Sequence, residues 1–177
     1  WQPDGGKVGG ALLLDGVDDY VSTGSILNPA EGSFSVFAWI KGGGKGQVVI
    51  AQKDTSDGRN TQVGNEWLWA DSSYGRLITR LMHPPVDPLV SETVITDGQW
   101  HHVGLVYDFD AMHRHLYVDG TEVAGDVNPL AGVGSNGGLY LGTGPALEAG
   151  TFWSGLIDEI RIYDEVLSAE EVADMTR

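Results

Sequence analysis

The sequence predicts an all-β protein, built as a two-sheet antiparallel β-sandwich with one short C-terminal helix. Two observations support this fold class. Short segments rich in Val, Ile, Phe, Trp and Tyr recur along the chain with Gly (26 of 177 residues) between them, a pattern typical of sandwiches. Asp119-Gly120 also lies between two alternating segments, which indicates a β-hairpin. Since no repeat or linker divides the chain, we expect residues 1–177 to form a single domain.

The predicted elements follow one another with short turns between them. The strand candidates, in chain order, are residues 33–40, 47–51, 75–81, 100–107, 115–118, 138–142 and 156–163. The helix begins after Ser168, which forms a capping box with Glu171, while Leu167 and Val172 occupy the positions of a hydrophobic staple. We expect roughly one to two turns of helix that cover an edge of the sandwich.

The charge and composition of the chain exclude several classes of function. Acidic residues outnumber basic ones by 25 to 10, which gives a formal net charge of −15. Such a field repels phosphate backbones and anionic lipids, so we expect neither a nucleic acid nor a membrane as partner. The sequence contains no cysteine, which excludes disulfides, thiolate metal sites and a Cys nucleophile. Residues 1–6 (WQPDGG) have neither the basic start nor the apolar stretch of a signal peptide, and we expect the chain to be part of a larger multidomain protein.

Five strings in chain order resemble laminin-G-like domains of the concanavalin A-like lectin/glucanase class. The first, ALLLDGVDDYV at residues 11–21, is similar to the family's first strand. The others are residues 33–40, 97–103 (DGQWHHV), 116–120 (LYVDG) and 155–168 (GLIDEIRIYDEVLS). The resemblance implies a jelly-roll sandwich. It also implies a set of possible functions: glycan binding, protein binding, a spacer role, or glycoside hydrolysis.

The acidic residues favour binding over catalysis. The family that the chain resembles shares its fold with glycoside hydrolases. These enzymes carry a Glu-x-Asp-x-Glu-like string on one strand, and the alternation of the strand points all the acids into the cleft. The chain has no such string, and its nearest alternation is Asp108-Phe109-Asp110. We therefore expect a non-catalytic carbohydrate-binding module that recognises a polysaccharide. The alternative is a protein-interaction or spacer module without glycan affinity, and a glycoside hydrolase is the third reading. We expect a monomer in a secreted or surface-attached bacterial protein.

Two tryptophans and two arginines are the first candidates for a sugar-binding surface. Trp67 and Trp69 alternate along one strand, which predicts that both rings lie on the same side, about 7 Å apart. Sugar rings stack on Trp or Tyr, and their hydroxyls bond to Arg. Arg76 and Arg80 share a face of the next strand, so a stacking platform with bidentate donors is one interpretation. The other interpretation places both tryptophans in the core, and the alternation leaves both open.

Further side chains complete this candidate surface. Tyr74 lies in the turn after the tryptophans, and Trp153 follows a loop-like stretch and is expected to be exposed. His115 and Tyr117 are expected to face outward from their strand. The candidate ligand-binding residues are Trp67, Trp69, Tyr74, Arg76, Arg80, His115, Tyr117 and Trp153.

The resemblance also implies a structural calcium ion that ties the first strand to the last. The matching positions are Asp15 and Asp158, with Asp19 as an alternative carboxylate and backbone carbonyls near Ser33 as further ligands. Asp158 interrupts an apolar strand, and a cation would offset the cost of burying its charge. The alternative is that Asp15 and Asp158 cap turns or accept backbone hydrogen bonds.

Two histidines form a separate pattern. His113 and His115 share one face of a strand, a spacing that suits zinc or copper. No third ligand is evident in the sequence, so no site is predicted there.

Overall fold

Two antiparallel sheets pack face to face in the computed structural model, which describes residues 1–54, 64–81, 87–129 and 136–177. Within these ranges the elements are β1 (Leu12–Asp15), β2 (Val21–Ser22), β3 (Phe34–Gly42), β4 (Val48–Lys53), β5 (Gly64–Ala70), β6 (Arg76–Thr79), β7 (Leu89–Val94), β8 (Trp100–Asp108), β9 (His113–Val118), β10 (Thr121–Val127), β11 (Leu139–Leu141), β12 (Ser154–Tyr163) and α1 (Ala169–Asp174). The first sheet has the order β1-β12-β3-β8-β9-β10, and the second β2-β11-β4-β5-β6-β7. The all-β sandwich and its C-terminal helix are confirmed.

The core lies between the two sheets and follows from strand alternation. Along β3, the side chains of Phe34, Val36 and Ala38 point inward, because alternate residues of a strand face the same side. They meet the inward side chains of the second sheet, among them Trp67 and Leu77. Because each sheet buries one face, the opposite faces are left to carry polar and functional side chains.

A β-bulge interrupts the alternation of β5. Glu66 pairs with Ala51 of β4, but Ile50, the preceding residue of β4, pairs with Leu68. Trp67 is thus an extra residue in the ladder, and both Trp67 and Leu68 enter the core. After the bulge the alternation resumes, so Trp69 faces outward. The expectation that Trp67 and Trp69 share a side is wrong for this reason.

The helix α1 covers part of the outer face of the first sheet. Ser168 and Glu171 form the capping box in both directions, as the sequence predicts. Leu167 and Val172 pack on Phe37 and Tyr117 to form a second, smaller apolar cluster. Within the described ranges, no helix is long and apolar enough to cross a membrane.

A buried histidine lies beside this second cluster. The ring of His102 stacks on Phe37 with the ring centroids 5.3 Å apart, and it is 2% exposed. Burial is the main reason that the pKa of His102 is lowered to about 4; the charge of Asp119 opposes this shift, and the charge of Arg161 contributes to it. The folded state therefore holds this imidazole neutral.

We expect His102 to make the protein less stable as the pH falls from 7 to 5. The unfolded chain takes up a proton near pH 6.5, but the folded protein does so only near pH 4. The unfolded state thus binds more protons between these values, and at pH 5 the loss in the free energy of unfolding is about 2 kcal/mol. Urea denaturation at pH 7 and at pH 5 measures this loss in the free energy of unfolding. If His102→Phe shows the same pH dependence as the wild type, the assignment to His102 is wrong.

Candidate functional site

Four of the candidate ligand-binding residues lie on the outer face of the β5–β6 hairpin. Trp69 of β5 pairs with Ile78 of β6, and Arg80 follows the end of β6. The guanidinium carbon of Arg80 lies 4.5 Å from the centre of the Trp69 ring. Trp69 is half-buried and Arg80 is exposed. The structure thus brings together an outward tryptophan and a cationic donor, a pair that we call the Trp69–Arg80 platform.

Arg80 differs from the other described arginines in its partners. The other four each form an ion pair with a carboxylate: Arg76, Arg114, Arg161 and Arg177. Within the part of the chain that the structure describes, no carboxylate oxygen lies within 4.0 Å of the Arg80 guanidinium. In a chain of net charge −15, this leaves its donors available for another acceptor.

Tyr74 and Arg76 form a second aromatic–cation pair at the turn of the hairpin. Tyr74 is 64% exposed, and the Arg76 guanidinium carbon lies 4.8 Å from the centre of its ring. Asp71 organises the turn, since its carboxylate accepts the backbone N–H groups of Ser73, Tyr74 and Arg76 at 2.7 to 2.9 Å. Burial opposes the charge of Asp71, but these hydrogen bonds prevail and lower its pKa. Arg76 also pairs with Asp71 at 3.2 Å, so its donors are largely used within the protein.

Glu66 adds a carboxyl to the same face and was missed by the sequence reasoning. Arg80 donates its backbone N–H to the Glu66 carbonyl at 2.9 Å. Burial raises the pKa of the Glu66 carboxyl against the effects of a backbone hydrogen bond and of the Arg80 charge, and the nearby charge of Glu148 raises it further. Simple alternation along β5 predicts that Glu66 lies on the other side of the sheet from Trp67 and Trp69. Because of the bulge at Trp67, Glu66 and Trp69 instead share the outer face.

The other four candidates lie elsewhere. Trp67 and Trp153 are both 0% exposed, so neither can stack on a ligand. Gly43 accommodates Trp153, because a Cβ at that position would lie 2.3 Å from the indole. His115 and Tyr117 lie on β9 in the other sheet, and Tyr117 is buried beneath α1. The prediction that Trp67, Trp153 and Tyr117 lie on a ligand surface is therefore wrong. His115 lies in the other sheet, away from the β5–β6 hairpin.

The structure does not bring Asp15 and Asp158 together. Asp15 pairs with Ser154, four residues before Asp158 on β12, which corresponds to about 13 Å along the strand. The Asp158 carboxylate accepts the backbone N–H groups of Val8 at 3.0 Å and Glu159 at 2.8 Å. A calcium clamp between the two aspartates is therefore wrong, and the hydrogen-bonded alternative describes Asp158.

Ser33 is also remote from Asp15. It precedes Phe34 at the start of β3, whereas the far end of β3, at Gly42, pairs with Gly155 near Asp15. The Ser33 hydroxyl accepts the backbone N–H of Phe109 at 3.0 Å. Ser33 thus anchors a turn at the opposite end of the sheet.

An acidic triad of Asp15, Asp18 and Asp19 lies in the turn after β1. One carboxylate oxygen from each residue lies within 4.8 Å of the others. Oxygens on opposite sides of a bound calcium ion are about 5 Å apart, since each lies at 2.3–2.6 Å from the metal. A hydrogen bond from the Val17 backbone N–H, at 2.8 Å, lowers the pKa of Asp15. The donor type and the spacing of the triad therefore fit calcium.

The sequence matches one family along almost its whole length. A family model described as the concanavalin A-like lectin/glucanases superfamily, of laminin-G type, matches residues 15–173. No curated protein matches the sequence.

Solved structures of several other proteins share the sandwich. Domain 4 of AbnA, an extracellular arabinanase from Geobacillus stearothermophilus in complex with arabinotriose, gives a TM-score of 0.66 at 22% identity, over 97% of this chain and 79% of that one. The CBM40 domain of the Ruminococcus gnavus IT-sialidase gives 0.62 at 15% identity, over 94% and 95%. A heptameric SAP-like pentraxin from Limulus polyphemus gives 0.61 at 18% identity, over 92% and 83%. At these identities the likeness shows the fold alone. The family match over residues 15–173 shows that the chain belongs to the concanavalin A-like lectin/glucanase superfamily as a laminin-G-like domain.

Proposed function

We propose that the chain is a non-catalytic carbohydrate-binding module that recognises a polysaccharide through the Trp69–Arg80 platform. The observation that carries this proposal is the exposed Arg80 guanidinium, which lies over an outward tryptophan and forms no ion pair with the described carboxylates. The indole offers an apolar surface to a sugar ring, and the guanidinium that lies over it donates hydrogen bonds to the hydroxyls of the sugar. Tyr74 and Arg76 extend the same face towards the hairpin turn.

The comparisons support this choice among the functions open to the superfamily. Domain 4 of the arabinanase was solved with arabinotriose, and a CBM40 domain belongs to a sialidase. We propose that this chain, too, serves a larger secreted or cell-surface bacterial protein, as a single monomeric domain that directs its partner domains to a polysaccharide.

Trp69→Ala and Arg80→Ala are expected to weaken polysaccharide binding and leave the fold intact. Loss of a stacking ring at the centre of a site costs about 2 kcal/mol or more, or about thirtyfold in affinity. Retention on insoluble polysaccharides, followed by calorimetry with oligosaccharides of the retained polymer, measures the effect. Arg177→Ala is the matched control, because Arg177 is exposed and lies beyond α1. Full binding by Arg80→Ala, together with full binding by Trp69→Ala, would contradict the proposal.

A glycoside hydrolase is the second candidate, and one observation bears on it. Burial and the nearby charge of Glu148 raise the pKa of Glu66, and a hydrolase needs a carboxyl group with a raised pKa as its general acid, together with a second carboxylate. Release of reducing ends from a polysaccharide that the protein retains, and its loss in Glu66→Gln, would favour the enzyme. Retention without release supports the binding module.

We also propose that the acidic triad holds a structural calcium ion, with Asp15, Asp18 and Asp19 as ligands. Bound calcium would offset the repulsion of three neighbouring carboxylates in the turn between β1 and β2. This site departs from the pair that the family resemblance implies, because Asp158 is already bonded to backbone amides.

Chelation of calcium is expected to lower the melting temperature of the wild-type protein. An ion that binds only the folded state stabilises it by about 2.7 kcal/mol when its free concentration is a hundredfold above the dissociation constant. Asp18→Asn should remove this response, whereas the control Asp4→Asn, at an exposed position outside the triad, should keep it. An unchanged melting curve in excess chelator, with no calcium found by metal analysis, would rule out the site.

A further inference from the structure

Two histidines and a glutamate meet on the outer face of the β9–β10 hairpin, in the sheet opposite the Trp69–Arg80 platform. His113 and His115 are alternate residues of β9, and their ring centroids lie 5.6 Å apart. The sequence shows this pair but offers no group to organise it. The structure supplies one, since the Glu122 Oε1 atom lies 2.9 Å from the Nδ1 atom of His115.

The hairpin is shaped to allow this contact. A bulge in β10 between Glu122 and Ala124 shifts the register, so that Glu122 pairs with Tyr117 and Gly125 lies opposite His115. A Cβ at position 125 would lie 2.8 Å from the Glu122 Oε1 atom and 3.4 Å from the His115 Nδ1 atom. Glycine at this position therefore leaves the space through which the carboxylate reaches the imidazole.

The contact sets the chemistry of His115. A carboxylate at Nδ1 favours the tautomer with its proton on Nδ1, so the lone pair is left on Nε2. This carboxylate–histidine arrangement is the one that orients metal-bound imidazoles and raises their basicity. His113 places a second imidazole beside it, and imidazole is a preferred ligand of Zn²⁺, Ni²⁺ and Cu²⁺.

The surroundings of the pair admit a cation. His113 is half-buried and His115 is 27% exposed in its side chain, so both rings reach solvent. Asp108 of β8 pairs with His113, and the net charge of the chain is −15. Within the described ranges, the cross-strand partners of the two histidines are Asp108, Val106, Val127 and Gly125, and none of these residues is basic.

We propose that His113 and His115 chelate a divalent transition metal ion of the zinc type, with Glu122 as the positioning residue that orients His115. The two imidazoles occupy two coordination positions, and water or an external ligand completes the shell. This site is distinct from the acidic triad, which offers only oxygen ligands and lies in the turn after β1.

Calorimetric titration of the calcium-free protein with zinc chloride tests the proposal. We expect one saturable site whose affinity falls at least tenfold in His113→Ala and in His115→Ala, and about 10- to 100-fold in Glu122→Gln. Asp18→Asn is the control, because it alters the acidic triad and should leave this site unchanged. Loss of the zinc site in Asp18→Asn, or wild-type affinity in a His113→Ala/His115→Ala double variant, would overturn the proposal.

Nitrogen-detected imidazole NMR separates the positioning role of Glu122 from a merely structural one. In the wild type, zinc should shift the Nε2 resonances of both histidines. In Glu122→Gln, the His115 spectrum without metal should change from one tautomer to a mixture, while the backbone spectrum of the core is kept. An unchanged His115 tautomer in Glu122→Gln would show that Glu122 does not orient the ring. Absence of zinc-induced shifts in the wild-type protein would refute the metal site, even if a variant failed to fold.

Discussion

Trp67→Ala is expected to lower the free energy of unfolding by about 3 to 5 kcal/mol, because it removes a fully buried indole from the centre of the sandwich. Trp67 is 0% exposed and packs on Phe34 with the ring centroids 5.0 Å apart. Neither sheet can close over the cavity, since each is held by its own ladder of hydrogen bonds. Trp69→Ala, two residues along, should cost only about 1 kcal/mol, because a half-buried ring removes less apolar area from water than a fully buried one.

Urea denaturation of the two variants measures this difference, and Trp153→Ala provides a second buried indole for comparison. If Trp67→Ala fails to accumulate, Trp67→Phe should still fold with a smaller loss of stability, because it keeps most of the aromatic volume. Equal effects of Trp67→Ala and Trp69→Ala would contradict the bulge in β5, which is what separates the two rings.

Asp126→Asn is expected to destabilise the protein by about 3 kcal/mol, because it leaves the charge of Arg114 buried without its counter-ion. Arg114 is 0% exposed and donates from Nε to the Asp126 carboxylate at 2.8 Å. It also donates to the backbone carbonyls of Leu81 at 2.8 Å and Asp87 at 3.1 Å. Arg114 thus links the β9–β10 hairpin to the second sheet. Breaking a buried ion pair costs about 3 to 5 kcal/mol, and we expect the lower value here because Asp126 is partly exposed.

Asp174→Asn is the matched control, because it breaks an ion pair with Arg177 that is exposed on both sides. Such surface pairs contribute about 0 to 1 kcal/mol. Equilibrium unfolding in urea compares the two, and Arg114→Met/Asp126→Leu should be less destabilising than Asp126→Asn alone, since no charge is then left in the interior. An Asp126→Asn variant as stable as Asp174→Asn would show that water reaches Arg114.

Several structural features of the protein were predictable because they depend only on residues that are close together in the sequence. The alternation of β3 and the capping box of Ser168 and Glu171 depend on spacings of two and three positions. The hairpin at Asp119-Gly120 depends on one dipeptide, and both the sandwich and its helix follow from such local signals. The sequence also places Arg80 among the ligand candidates, and its role in binding stays a prediction.

The remaining features depend on groups that are distant in sequence. A bulge is defined by the partner strand, so only the pairing of β4 with β5 could show that Trp67 faces inward while Glu66 and Trp69 face outward. The register of β1 on β12 separates Asp15 from Asp158, and the loop at Val8 supplies the amide that Asp158 binds. The sequence by itself determined the sandwich, because hydrophobic periodicity is a property of each strand alone. The tertiary structure decided which side chains share the outer face, because register and bulges arise only when strands pair.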